Sequence, residues 1–142
     1  MNTKKFSKTL IGVALAYSIS FFSLAEVVVV VHPSNDAAIN AKIVQRIFLG
    51  KEKKFSNGKE VLPINQVPSS TARGFFDTDT LGRSSTQIAA YWSKLVFTGK
   101  GIPPKELDDD AAVLAIVADN PNAIGYVDSA SVSGAVKVIS LN

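Results

Sequence analysis

Five consecutive valines, Val27 to Val31, open the apolar pattern downstream of residue 25. A short unbroken run of β-branched residues predicts a strand buried on both faces, as in an α/β sheet. Pro33 ends it. Ser34, Asn35 and Asp36 are N-cap candidates for a helix that carries Ile39, Ile43, Val44, Ile47 and Phe48 at helical spacing. Gly50 is placed to terminate that helix. Lys51 to Lys59 is a charged connection with an Asn57-Gly58 turn signal, read as a solvated loop. Val61 to Val67 predicts a second strand, broken by Pro68. Ser69-Ser70-Thr71 then opens a short helical segment with Phe75 and Phe76, weakened by Gly74 and closed by Leu81-Gly82. Ser84 or Ser85 can cap the next helix, whose apolar face is Ile88, Tyr91, Trp92, Leu95 and Val96. Thr98 to Pro104 is glycine- and proline-rich and predicts a loop. Asp108, Asp109 and Asp110 precede Val113, Ile116 and Val117, so a further helix starts with acids at its positive end. Asn120-Pro121-Asn122 predicts a turn, and Ala123 to Val127 and Ala135 to Ile139 two closing strands. The order β-α-β-α-α-α-β-β argues for a three-layer α/β sheet rather than a sandwich or a bundle.

The first 25 residues follow another logic. Lys4, Lys5 and Lys8 form a positive n-region, Leu10 to Leu24 a mainly apolar core, and Ser23-Leu24-Ala25 puts small residues at −3 and −1. This is the layout of a secretory signal peptide. The apolar run spans 15 residues, short of the roughly 20 that a membrane-spanning helix needs. Residues 26–142 are then the exported domain, 117 residues long, enough for one core. Three of the 15 lysines and arginines, and none of the 12 acids, lie in the leader, so the remainder has a formal charge of zero. The sequence pI of about 9.2 therefore reflects the export signal. That removes the electrostatic case for nucleic-acid binding. Cysteine is absent, which excludes a disulfide framework, a thiolate metal site and a lipid-modified N-terminal cysteine.

Few arrangements in the chain point to chemistry. His32 is the only histidine, so a hydrolytic Ser-His-Asp triad would have to use it, yet no serine sits in a G-x-S-x-G elbow. Asp77 with Asp79, and the Asp108–Asp110 triplet, lack the alternating spacing of a calcium loop, and no metal is assigned. Gly99-Lys100-Gly101 lacks the upstream glycine and hydroxyl of a phosphate-binding loop. No catalytic residue and no cofactor follow from these patterns. Ser69-Ser70-Thr71 differs, because three hydroxyl residues stand where a strand hands over to a helix. Free N–H groups there favour an anion, and Arg73 can add a planar, bidentate charge. Ser69, Ser70, Thr71 and Arg73 are therefore the candidate oxyanion site; N-capping and a solvated arginine are the plainer explanation of the same residues.

Several segments taken together carry a resemblance. Ile47-Phe48-Leu49-Gly50-Lys51, the Pro63-Ile64 strand leading to Ser69-Ser70-Thr71 and Phe75-Phe76, and Asn122-Ala123-Ile124-Gly125-Tyr126-Val127 resemble the phosphate ABC transporter substrate-binding protein family. That family carries an IFxGK helix end, a strand leading to a Ser-Gly-Thr anion-contacting helix start, and a GxIGY strand. The resemblance spans approximately Val27 to Val138. It implies an α/β domain with a mixed, mostly parallel sheet, similar to one lobe of a type II periplasmic binding protein. The family has two lobes with the anion clamped between them; this chain resembles one. Only Ser69 and Thr71 match the family's Ser-Gly-Thr residue for residue, since Ser70 replaces the glycine and Asn65 stands where the family has an arginine.

The resemblance implies an exported, periplasmic, non-enzymatic protein that binds phosphate or a similar small oxyanion. Its partners would be an ABC permease or another envelope protein, and homodimerisation across the cleft face is one way to complete a single-lobed site. The alternative is a non-transport accessory or protein-interaction domain on the same fold with a decayed anion site.

Overall fold

Strand β1 (Val27–Val31) lies between β4 (Ala123–Asp128) and β5 (Lys137–Ile139) and pairs antiparallel with both. Strand β2 (Leu62–Gln66) runs parallel to its two neighbours, β4 and β3 (Lys105–Leu107), giving the order β3-β2-β4-β1-β5. The sheet is mixed as expected but not mostly parallel, with two parallel and two antiparallel pairings, because β1 runs against both β4 and β5. The computed structural model describes residues 26–141 and, before them, only positions 12, 14 and 16. The expected signal peptide otherwise lies outside the described residues. No helix among the described residues is long and apolar enough to cross a membrane.

The valine run is buried on both faces because helices cover both. Successive side chains of a strand point to opposite sides. Val29 and Val31 join Phe48, Ile88, Ile124 and Tyr126 in one core, while Val30 joins Val113, Val117, Ala123 and Val127 in the other. The first core is roofed by α1 (Ala41–Phe48), α2 (Thr71–Phe75) and α3 (Ser85–Phe97), the second by α4 (Asp110–Asp119). This is the expected three-layer α/β lobe.

The caps decide where the helices begin. Helix α1 starts later than Ser34–Asp36 would place it. The Asn35 side chain folds onto the N–H of Ala37 at 2.9 Å, and Asn40 instead caps the helix by accepting from Ile43 N. Ser70 caps α2, which continues into a π-helical turn, Phe76–Thr80. Ser84 and Gln87 form a reciprocal capping box at the start of α3. Asp109 caps α4 by accepting from Ala112 N at 2.9 Å. Strand β3 was not expected. Two of its three residues are charged, which an edge strand tolerates because one side of its ladder faces water.

Gly125 fixes how close α4 can come. A Cβ there would lie 2.7 Å from Val113 Cγ1 and 3.5 Å from Val117 Cγ2. Opposite it, Phe76 stacks on Tyr126 with centroids 3.9 Å apart, and Phe48 meets Phe76 edge-on at 4.8 Å.

Candidate functional site

Two loops leave the carboxyl ends of β2 and β3 for opposite faces of the sheet: β2 runs into α2, β3 into α4. Such a divergence opens a crevice beyond the strand ends, the usual place for a ligand in an α/β sheet. Here it is a cleft of about 430 Å³, bounded by Ser70, Thr71 and Phe75 on one side and Asp108, Asp109 and Asp110 on the other.

Gln66 joins the two loops. It is the last residue of β2 and only 1% exposed. Its side-chain amide donates to Asp110 Oδ1 at 2.8 Å and to the Tyr126 carbonyl at 3.0 Å. Its Oε1 accepts from the Ser70 hydroxyl at 2.6 Å. The other carboxylate oxygen of Asp110 accepts from Asp128 N at 3.1 Å and Ser131 Oγ at 2.7 Å. Below lies Asn65, buried, with Oδ1 accepting from the Tyr126 hydroxyl and from Gln66 N. The Tyr126 oxygen also accepts from Gln66 N at 3.1 Å. Burial pushes the Tyr126 phenol well above its ordinary value, so it stays a donor at neutral pH.

The four candidate residues separate in space. Thr71 is exposed and lines the cleft; Ser69 is exposed beside it. Ser70 lines the cleft too, but its hydroxyl donates to Gln66 and accepts from Arg73 N at 3.3 Å. Ser70's carbonyl accepts from Gly74 N at 3.3 Å, which leaves the N–H groups of Thr71 and Ala72 without an intrahelical acceptor. Arg73 is turned away. Its Nε donates to Asp77 Oδ2 at 3.0 Å, and one terminal nitrogen donates to the Gln66 carbonyl at 2.7 Å and Glu106 Oε1 at 3.3 Å. With its side chain 6% exposed and that of Asp77 0%, the guanidinium is a buried tie rather than a free charge. The sequence could not show this, because Glu106 reaches Arg73 only through the pairing of β2 with the unexpected β3.

Sequence reading missed Gln66 and the place of the aspartates. The triplet Asp108–Asp110 reads as helix capping, and Asp109 does cap. The fold also turns all three, with Asp128, onto the cleft that Thr71 faces. Among the described residues no group of three or more acids and histidines is arranged to hold a metal. His32 does not approach the cleft. Its Nδ1 lies 2.7 Å from Ser34 Oγ and accepts from Ser34 N at 3.1 Å, a local turn at the end of β1.

No protein-family model and no curated protein matches the sequence. Solved structures do match in shape. One from Clostridium perfringens, described as a phosphate ABC transporter substrate-binding protein with bound phosphate, superposes with a TM-score of 0.64 at 16% identity, over 81% of this chain and 44% of that one. An ABC-type phosphate transport receptor from Vibrio cholerae gives 0.57 at 15% identity, over 81% and 45%. PstS from Borrelia burgdorferi gives 0.58 at 12% identity, over 82% and 47%. The chain thus spans under half the length of each structure. At these identities the likeness is one of fold, and the fold is that of a single lobe of the phosphate ABC transporter substrate-binding proteins.

Proposed function

We propose that this chain is an exported, periplasmic oxyanion-binding module, with phosphate or a similar small tetrahedral anion held at the start of α2. One observation carries this reading: Thr71 and the uncapped N–H groups of Thr71 and Ala72 stand at a cleft beyond the carboxyl end of β2, with exposed Ser69 two residues before Thr71. The fold supports it, since its solved neighbours are named for phosphate. Ser69 and Thr71 supply hydroxyl donors, Ser70 shapes the turn, and Arg73 positions the segment by tying it to Asp77 and to the end of β2. The reading requires no catalytic group.

Affinity is weak on this account. Hydrogen bonds to a charged partner are worth about 1.5–3 kcal/mol net each, and association costs about 4 kcal/mol or more. Three contacts from one side, facing the Asp108–Asp110 carboxylates, give a dissociation constant near the millimolar range, about −4 kcal/mol. An opposing surface would tighten it. An ABC permease, another envelope protein or a second copy of the chain could supply one.

The test is an amide-resolved NMR titration with phosphate and with sulfate. Saturable shifts confined to Ser69–Gly74, lost in Ser69→Ala/Thr71→Val, are expected. Unmoved amides at tens of millimolar anion would end the proposal. A second reading, a non-transport accessory domain with a decayed site, is favoured by the internal engagement of Arg73 and Ser70. It predicts silence in that titration and stable co-purification with an envelope protein.

A further inference from the structure

Around the chain's single tryptophan the loops 49–53 and 98–104 meet the C-terminal half of α3. Trp92 is 7% exposed and wedged between two glycines. A Cβ on Gly50, whose φ is +71°, would lie 2.8 Å from the indole, and one on Gly101 3.2 Å. Only glycine lets both backbones lie against the ring. The Tyr91 hydroxyl donates to the Leu49 carbonyl at 2.6 Å and ties the first loop to the helix. The result is a preformed groove of about 830 Å³, within the size range of ligand clefts.

The groove is apolar inside and basic at the rim. Val96, expected from spacing to be core, is 52% exposed and lines it with Ile102, which is 90% exposed. Phe97, 92% exposed, extends the apolar surface beside it. Exposed apolar side chains gathered at one groove mark an interaction surface. Lys51, Lys53 and Lys100 line the same groove and no carboxylate does. None of the three lysines enters an ion pair among the described residues. The Trp92 indole N–H, buried, has no acceptor among the described residues.

We propose that this groove docks an acidic segment of a protein partner, its apolar side chains packing on Val96 and Ile102 and its carboxylates meeting Lys51, Lys53 and Lys100. The charged residues lining the groove are all lysines, which is the complement of an acidic polypeptide segment. The groove shares no lining residue with the cleft at Thr71, so the two can be filled independently.

Trp92 reports directly on occupancy. The full chain is titrated with a pool of tryptophan-free nonapeptides alternating Asp or Glu with Leu or Phe, and with a pool in which lysine replaces every acid. The acidic pool should change Trp92 emission saturably and bind about tenfold tighter than the lysine pool, weakening as salt rises. Lys53→Glu/Lys100→Glu and, separately, Ile102→Asp should each weaken it about tenfold with unaltered circular dichroism. Any of these results would overturn the proposal: no saturable change up to about 1 mM peptide; equal binding of both pools; indifference to the charge reversal; or a response to phosphatidylglycerol vesicles alone. A peptide-independent change that follows protein concentration, and sediments as a dimer, would overturn it in favour of a second copy.

Discussion

Arg73, Gly125 and Tyr126 each do a job that the neighbouring residues define. Arg73 and Asp77 form an ion pair taken out of water, and removing one partner of such a pair strands the other charge at a cost of about 3–5 kcal/mol. Denaturant unfolding of Arg73→Met should show that loss. Gly125→Ala should cost about 1–3 kcal/mol, since Val113 is fully buried and has no room to retreat from a new methyl. Adding Val113→Ala should recover part of the overpacking cost, a non-additivity that a double-mutant cycle measures. Tyr126 predicts a pH dependence. Its folded-state value is raised above the ordinary tyrosine value of 10.0, chiefly by burial. The neutral phenol is therefore favoured by folding; that contribution is whole below about pH 10 and falls as pH rises beyond it, where only the unfolded chain releases the proton. Thermal unfolding should show a steep alkaline loss of stability, flattened in Tyr126→Phe.

Among the secondary-structure elements, local chemistry was easiest to read from sequence where a side chain answers its own backbone. A serine cap at Ser84 or Ser85, an acidic start to α4 and the valine strand follow from residue type and spacing, and all three are present. Ser84→Ala should lower stability by about 1 kcal/mol without altering anion titration. Reading failed where a distant partner decides. Strand β3 exists because β2 offers an edge, not because Lys-Glu-Leu favours extension. The start of α1 shifted because Asn35 satisfies a nearer N–H first. Val96 keeps the helical period yet ends up exposed, while Ile88 and Trp92 on the same helix are buried. The role of Arg73 was hidden for the same reason: two acids, one on its own helical turn and one on an unforeseen strand, claim it before any ligand can.

In the assembled lobe, the candidate site is a by-product of topology. Loops diverging from β2 and β3 place a hydroxyl-bearing helix start opposite three aspartates, residues 37 to 39 positions apart in the chain. The hydroxyl half was legible as a motif; the acidic half was legible only as capping, since nothing local says that it faces Thr71. Their juxtaposition sets a preference. A carboxylate can only accept a hydrogen bond, so the cleft should favour an oxyanion that retains a proton over one that does not. Phosphate should therefore outcompete sulfate, and Asp108→Asn should narrow the difference, as read by the same amide shifts. The most direct measurement is the crystal structure of the protein grown in phosphate. Tetrahedral density is expected within hydrogen-bonding reach of Thr71 Oγ1 and the N–H groups of Thr71 and Ala72. Water alone at that position, with Ser69 and Thr71 turned from the cleft, would contradict it.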